Sequence, residues 1–143
     1  MVEAGVIDIM IVTGAEHSGA MMTLLDSGKR YGCTFTYKVQ DEPDGIAGAL
    51  KLCRGFVGSS NCIVILGDNI FKDNLNEHVR SFLEKGKNCS LFLKEVDNPK
   101  RYGVAVFEGE NLIEVEEKPD NPKTDLACVG IYMYSNRVFD AIY

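Results

Sequence analysis

A chain of 143 residues that is 45% hydrophobic and 25% charged has the size and apolar content of one ordinary domain. Its net charge of −6, without a basic stripe, argues against a nucleic-acid partner, because phosphate-backbone binding rests on Lys and Arg. No apolar run approaches a bilayer span, and "MVEAGVIDIM" lacks the basic start and cleavage site of a secretory leader, so a cytoplasmic protein with no membrane partner is expected.

"EAG" at residues 3–5 reads as the last turn of a helix with its C′ glycine. "VIDIMIV" (Val6–Val12), closed by Thr13-Gly14, predicts a buried strand. Met21, Leu24 and Leu25 predict a helix over about Glu16–Ser27, stopped at Gly28. "CTFTYKVQ" alternates, with Cys33, Phe35, Tyr37 and Val39 on one face of a strand.

"QDEPDG" (Gln40–Gly45) is turn chemistry. Ile46, Ala49, Leu50 and Cys53 then predict one helix over about Ile46–Phe56. "CIVIL" is a continuous apolar strand of the type buried on both faces of a parallel sheet. Leu75, Val79, Phe82 and Leu83 predict a helix ending at Gly86, and "CSLFLKEV" the next strand. The order β-α-β-α-β-α-β predicts a mostly parallel, three-layer α/β/α sheet.

The second half changes character. "RYGVAVFEGENLIEVEEKP" predicts a hairpin about Glu108–Asn111, and "ACVGIYMYS" another strand. "NRVFDAIY" opens a helix that is too short to be stable alone. Both ends of the chain therefore read as cut. Five cysteines without CxxC spacing read as small buried thiols of a reducing compartment, and His17 and His78 are too far apart for a zinc site.

Ligands of an open parallel sheet bind beyond the carboxyl ends of its strands. Asp68 lies just past "CIVIL". It is either a turn former or a carboxylate for a hard cation such as Mg²⁺, whose other ligands are waters and substrate phosphates. Gln40 carries a donor and an acceptor, as needed to read a pyrimidine edge, or it rims an ordinary Pro-Asp-Gly turn. Gly45 opens a helix with free N–H groups. Gly103, beside Tyr102, marks a bulge or a ligand near the backbone. Glu117 and Lys118 end a strand, where Glu can accept from sugar hydroxyls and Lys can meet a phosphate; a solvated charged end is the plainer reading.

The ordered set "AGVIDIMIVTG", "YKVQDEPDGIAGAL", "VILGDNIF", "RYGVAVFE", "IEVEEKPDNPK" and "CVGIYMYS" spans nearly all of the chain. It resembles the sugar-phosphate nucleotidyltransferase family, most closely the glucose-1-phosphate thymidylyltransferases. The resemblance implies a Rossmann-like nucleotidyltransferase fold over residues 1–143 and the reaction of dTTP with glucose 1-phosphate to give dTDP-glucose and pyrophosphate. It assigns Gln40, Pro43, Asp44 and Gly45 to the nucleotide, with Gln40 and Gly45 on thymine, and Asp68 to Mg²⁺. Tyr102, Gly103, Glu117, Lys118 and the Val129 backbone fall to the sugar. Lys118 also approaches the sugar phosphate, so Asp68 and Lys118 are its catalytic pair. UTP in place of dTTP is the nearest rival, and a non-catalytic nucleotide- or sugar-binding module is the other.

The family's Gly-Gly-x-Gly-Thr-Arg-Leu loop, its following lysine and a second metal-binding aspartate are not found in these residues. The resemblance thus implies a truncated core with weak turnover or none. The family strand that is missing sits inside the sheet, so two apolar edges and a homo-oligomer are expected.

Overall fold

The computed structural model describes residues 1–142. The chain divides into two compact units. One holds residues 1–62, 72–88 and the described residues from 135 onward; the other holds 63–71 and 89–134.

In the first unit, a turn at Val2–Ala4 closes on Gly5 at φ 78, whose N–H donates to the Val2 carbonyl, so "EAG" does end in a left-handed cap. Strand β1 (Asp8–Gly14) pairs in parallel with β2 (Thr34–Gln40), from Asp8 opposite Thr34 to Gly14 opposite Gln40. Parallel neighbours need a crossover, and helix α1 (Ala15–Leu25) supplies it. The expected stop at Gly28 comes earlier. Asp26, at φ 55, closes α1 by donating its N–H to Met22. Gly28, at φ 87, serves a second turn instead, where a Cβ would come within 2.8 Å of the Cys33 carbonyl oxygen.

The expected helix over Ile46–Phe56 is two pieces, α2 (Gly45–Leu52) and α3 (Arg54–Val57). The break is at Cys53, whose N–H reaches back three residues to Leu50, a 3₁₀-type tightening of the last turn. Helix α4 (Asn76–Lys85) ends at Gly86, φ 57, as its sequence predicts. A short α5 (Val138–Ala141) buries Phe139; Tyr143, the last residue of the expected helix, lies outside the described residues.

The other sheet has five strands: β3 (Cys62–Ile65), β4 (Cys89–Glu95), β5 (Gly103–Glu108), β6 (Asn111–Glu117) and β7 (Leu126–Tyr134). The order is β3-β7-β5-β6, with β4 also paired to β7. The β5–β6 hairpin turns at Gly109, φ 61. Its core residues are Val104, Ala105 and Val106 of β5 with Ala127, Ile131 and Met133 of β7, all buried.

Among the described residues the β1–β2 pair is parallel, and the β4–β7, β5–β6 and β5–β7 pairs are antiparallel. The strand "CIVIL" is half-exposed along its length rather than buried on both faces, because β3 has one neighbour, β7, among the described residues. The thiols differ too: Cys89 is exposed and the other four are half-buried, all free.

Candidate nucleotide and sugar site

The first unit carries the segment that follows β2. Gln40 is the last residue of that strand, and the chain leaves it through Asp41, Glu42 and Pro43, all exposed. The Asp44 N–H donates to the Glu42 carbonyl at 2.8 Å and tightens the turn. Gly45 then opens α2 at φ 86, a conformation that any side chain would strain. Nothing lies within 4 Å of where its Cβ would be, so the space above it is open. The Gln40 amide nitrogen donates to the Asp44 carboxylate and, at 3.3 Å, to the Gly45 carbonyl. Gln40, Asp44 and Gly45 therefore form one hydrogen-bonded group, and Pro43 shapes the turn beside it.

The second unit carries the other residues. Asp68 stands in the loop after β3, exposed to solvent. That loop is anchored on β7: the Leu66 N–H donates to the Gly130 carbonyl at 3.0 Å, and the Asn69 N–H to Leu66 at 3.1 Å. Gly130 sits at φ 70, and a Cβ there would lie 2.5 Å from Asn69 Nδ2 and 2.9 Å from Leu66 Cδ1. The β4–β7 register shifts between Leu91 and Leu93, so β7 bulges at this place. The bulge lets the Asp68 loop lie down on the strand. Gly130 and Asn69 seat this loop, and hydrophobic periodicity does not single them out; the glycine inside a strand is the signal that marks them.

Across the hairpin, Gly103 pairs with Glu117. A Cβ on Gly103 would meet Val115 Cγ1 at 3.1 Å and Glu117 Oε2 at 3.3 Å, so the bare backbone leaves room for the Glu117 carboxylate. The next residue, Lys118, takes φ 46, rare for a side-chain-bearing residue, and its N–H donates to the Tyr102 carbonyl at 3.0 Å. Its Nζ lies 3.6 Å from Glu117 Oε1, an exposed pair. Glu116, by contrast, is held by Lys123 at 2.7 Å. Tyr102, Gly103, Glu117 and Lys118 are thus gathered at one end of the hairpin.

Val129 is half-buried in β7, beside Cys128. Burial first, then the Glu117 charge, pushes the Cys128 thiol up. Burial also raises Tyr132, followed by the Cys128 and Glu117 charges. Both therefore lie within electrostatic reach of Glu117, and both stay protonated at neutral pH.

No group of three metal-ligating side chains occurs among the described residues. Asp68, a lone hard oxygen donor, suits Mg²⁺, which keeps waters and borrows substrate phosphates, and does not suit a fully ligated zinc.

An α/β chain with a helix-opening Pro-Asp-Gly turn after one strand and an acidic loop after another has the parts of a nucleotide-handling protein. The family model for nucleotidyl transferases matches residues 1–143, and the chain belongs to that family. Among its relatives it is 35% identical to a glucose-1-phosphate thymidylyltransferase of Neisseria meningitidis, over 96% of this chain and 48% of that protein. It is 38% identical to the low-salt glycan biosynthesis nucleotidyltransferase Agl11 of Haloferax volcanii, over 98% of this chain and 40% of that protein. A crystal structure from Bacillus anthracis, assigned as a glucose-1-phosphate thymidylyltransferase and holding sucrose, superposes with a TM-score of 0.94 at 45% identity, covering 97% of this chain and 56% of that one. The fold is accordingly the mixed α/β, Rossmann-like fold of these enzymes. The chain spans about half the length of the curated relatives it matches.

Proposed function

We propose that residues 1–143 are one core domain carrying the base and sugar contacts of a thymidylyltransferase that joins dTTP to glucose 1-phosphate. The observation that carries this is the Gln40–Asp44–Gly45 group at the mouth of α2, in a chain 34–37% identical to several proteins named as such enzymes over nearly its whole length. In the reaction, a phosphate oxygen of glucose 1-phosphate attacks the α-phosphorus of dTTP. A new P–O bond forms, the bond to the β-phosphate oxygen breaks, and pyrophosphate leaves with the electron pair.

Gln40 and Gly45 hold the thymine edge. Glu117 accepts from glucose hydroxyls, with Tyr102, Gly103 and the Val129 backbone beside the sugar. Lys118 offsets the charge of the sugar phosphate and lets it approach the triphosphate. Asp68 is the residue that would hold Mg²⁺, which when bound supplies positive charge to the dTTP phosphates. One carboxylate and one lysine make a thin set for that charge, so slow turnover by this chain is expected. The same thinness favours a second reading, a module that binds thymidine nucleotide or dTDP-glucose without catalysis. No helix among the described residues is long and apolar enough to cross a membrane. The edge of β1 that is unpaired among the described residues supports a homo-oligomer.

Calorimetry with dTTP, UTP and dTDP-glucose, beside pyrophosphate release with glucose 1-phosphate and Mg²⁺, tests both readings. Binding of dTTP and dTDP-glucose with slow pyrophosphate release is expected. UTP bound more tightly than dTTP would move the assignment to uridylyl transfer. No binding of any of the three would overturn it.

A further inference from the structure

One amide group in the first unit has its orientation fixed by its partners. A glutamine amide offers two N–H donors on nitrogen and two lone pairs on oxygen. In Gln40 the nitrogen faces the Asp44 carboxylate on one side and the Gly45 carbonyl, at 3.3 Å, on the other. Both partners are acceptors only, so both donors are used. The opposite orientation would set the amide oxygen against a carboxylate and a carbonyl, and repulsion excludes it. Among the described residues no hydrogen bond reaches Gln40 Oε1. Gln40 is thereby a pure acceptor toward anything that docks against it.

The Asp44 carboxylate can be there because residue 48 is glycine. A Cβ in a helix tilts toward the N-terminus, so that of residue 48 would point at residue 44. Built on Gly48, it would overlap all three atoms of the Asp44 carboxyl group. Gly48 lies inside α2 at an ordinary helical φ, so its backbone does not call for glycine, and helix propensity disfavours it there. The room it leaves for Asp44 is what it contributes.

We infer that Asp44 and Gly48 are a positioning pair that locks Gln40 as an acceptor and so selects a base with an N–H at its ring N3, the imide of thymine or uracil, over cytosine. Where the imide presents a donor, cytosine presents a lone pair, and the Gln40 oxygen repels it. Asp44 acts through Gln40 rather than on the base. The inference rests on the reading of Gln40 as the base contact, and its two parts are measured separately.

The amide resonances of the Gln40 side chain, assigned in the ¹⁵N-labelled chain with Gln40→Glu, report the lock without any nucleotide. Asp44→Ala and Gly48→Ala should both shift them and speed their exchange with water. Circular dichroism should show α2 intact in Gly48→Ala, since alanine favours a helix. Unchanged Gln40 resonances in both variants overturn the positioning pair. Calorimetry with dTTP and dCTP then reads selectivity. The unaltered chain should prefer dTTP by about ten-fold or more, which is about 1.4 kcal/mol. Either variant should narrow the ratio to about three-fold or less, because a freed amide can turn and offer its nitrogen. An unchanged ratio in the variants overturns the selectivity. If the unaltered chain binds neither nucleotide while the resonances shift as stated, the reading of Gln40 as the base contact is wrong and the lock itself stands.

Discussion

The Glu117 carboxylate lies over Gly103, with Oε2 3.3 Å from where a glycine Cβ would be, so the two paired residues of the hairpin share one small space. Gly103→Ala would crowd Val115 and Glu117 by a few tenths of an ångström. Both side chains are exposed and can yield, so the cost in folding stability should be below about 1 kcal/mol by urea denaturation. A displaced carboxylate should nonetheless weaken dTDP-glucose binding by about three- to ten-fold in calorimetry. Unchanged affinity would remove Glu117 from the sugar site.

Gly130 should behave differently. It sits at φ 70, and a Cβ would overlap Asn69 and Leu66, which belong to the loop of Asp68. Gly130→Ala combines backbone strain with a clash at a buried position, so a loss of about 2–4 kcal/mol is expected in equilibrium unfolding. Any Mg²⁺ dependence of nucleotide binding should weaken with it, since the loop must lift. A loss below about 1 kcal/mol would show that the loop does not rest on β7 in solution.

These two glycines show where the sequence was legible. The apolar runs and capping glycines placed β1, β2, β4, β5, β6, β7 and α4 to within a residue or two, because each is decided by neighbours along the chain. Gly103 stood out beside Tyr102 for the same reason. Gly130 did not, because its need arises from a loop more than sixty residues earlier, which no local pattern reports. The break at Cys53 is similar: Ile46 to Phe56 keeps helical spacing, but the last turn tightens. The division of pairing between two sheets lay beyond local pattern as well, since an apolar strand reads alike whether it gains one neighbour or two.

Burial, and then the neighbouring Cys53, push the Cys62 thiol up to about 11 from 9.0. The folded form therefore holds its proton where the unfolded chain has lost it. The stabilisation is complete below pH 9.0 and disappears as pH rises through about 11, so stability should fall across that window. Cys62→Ser, read by urea denaturation at pH 8 and pH 10.5, should flatten this part of the profile. Disulfide-exchange labelling of Cys62 at pH 7 should be slow. Rapid labelling would mean that the thiol is more open than the fold places it.

Strand β1 has β2 on one edge and no partner on the other among the described residues. Its sequence, DIMIVTG, carries no Lys, Arg or Pro, the usual guards of an edge. Another edge strand, β6, carries Glu114, Glu116 and Glu117. Helix α1 adds apolar surface, with Met22 53% and Leu24 62% exposed. Two copies pairing antiparallel about Ile11 would set Asp8 opposite Gly14 and keep the two Asp8 charges apart, which parallel pairing would not. Sedimentation velocity should show association rising with concentration, with alternate β1 amides gaining protection from exchange. Ile11→Lys should shift the chain toward monomer. A monodisperse monomer at about 100 µM, well above the dissociation constant of a stable interface, would show that the edge is guarded in some other way.

Lys118 separates stability from function most cleanly. Its φ of 46 is held by the N–H bond to the Tyr102 carbonyl, and its ammonium makes an exposed pair with Glu117. The left-handed conformation costs a residue with a Cβ about 1 kcal/mol, and glycine pays instead through its larger freedom when unfolded. Lys118→Gly should therefore leave stability within about 1 kcal/mol in either direction. Lys118→Gln keeps the strain and removes only the charge. Both should weaken binding of glucose 1-phosphate by a similar factor, about ten-fold, if the charge meets the phosphate. If Gly weakens binding and Gln does not, the backbone geometry at this position matters and the charge does not. That result would leave Lys118 as a turn residue whose side chain the sugar phosphate never meets.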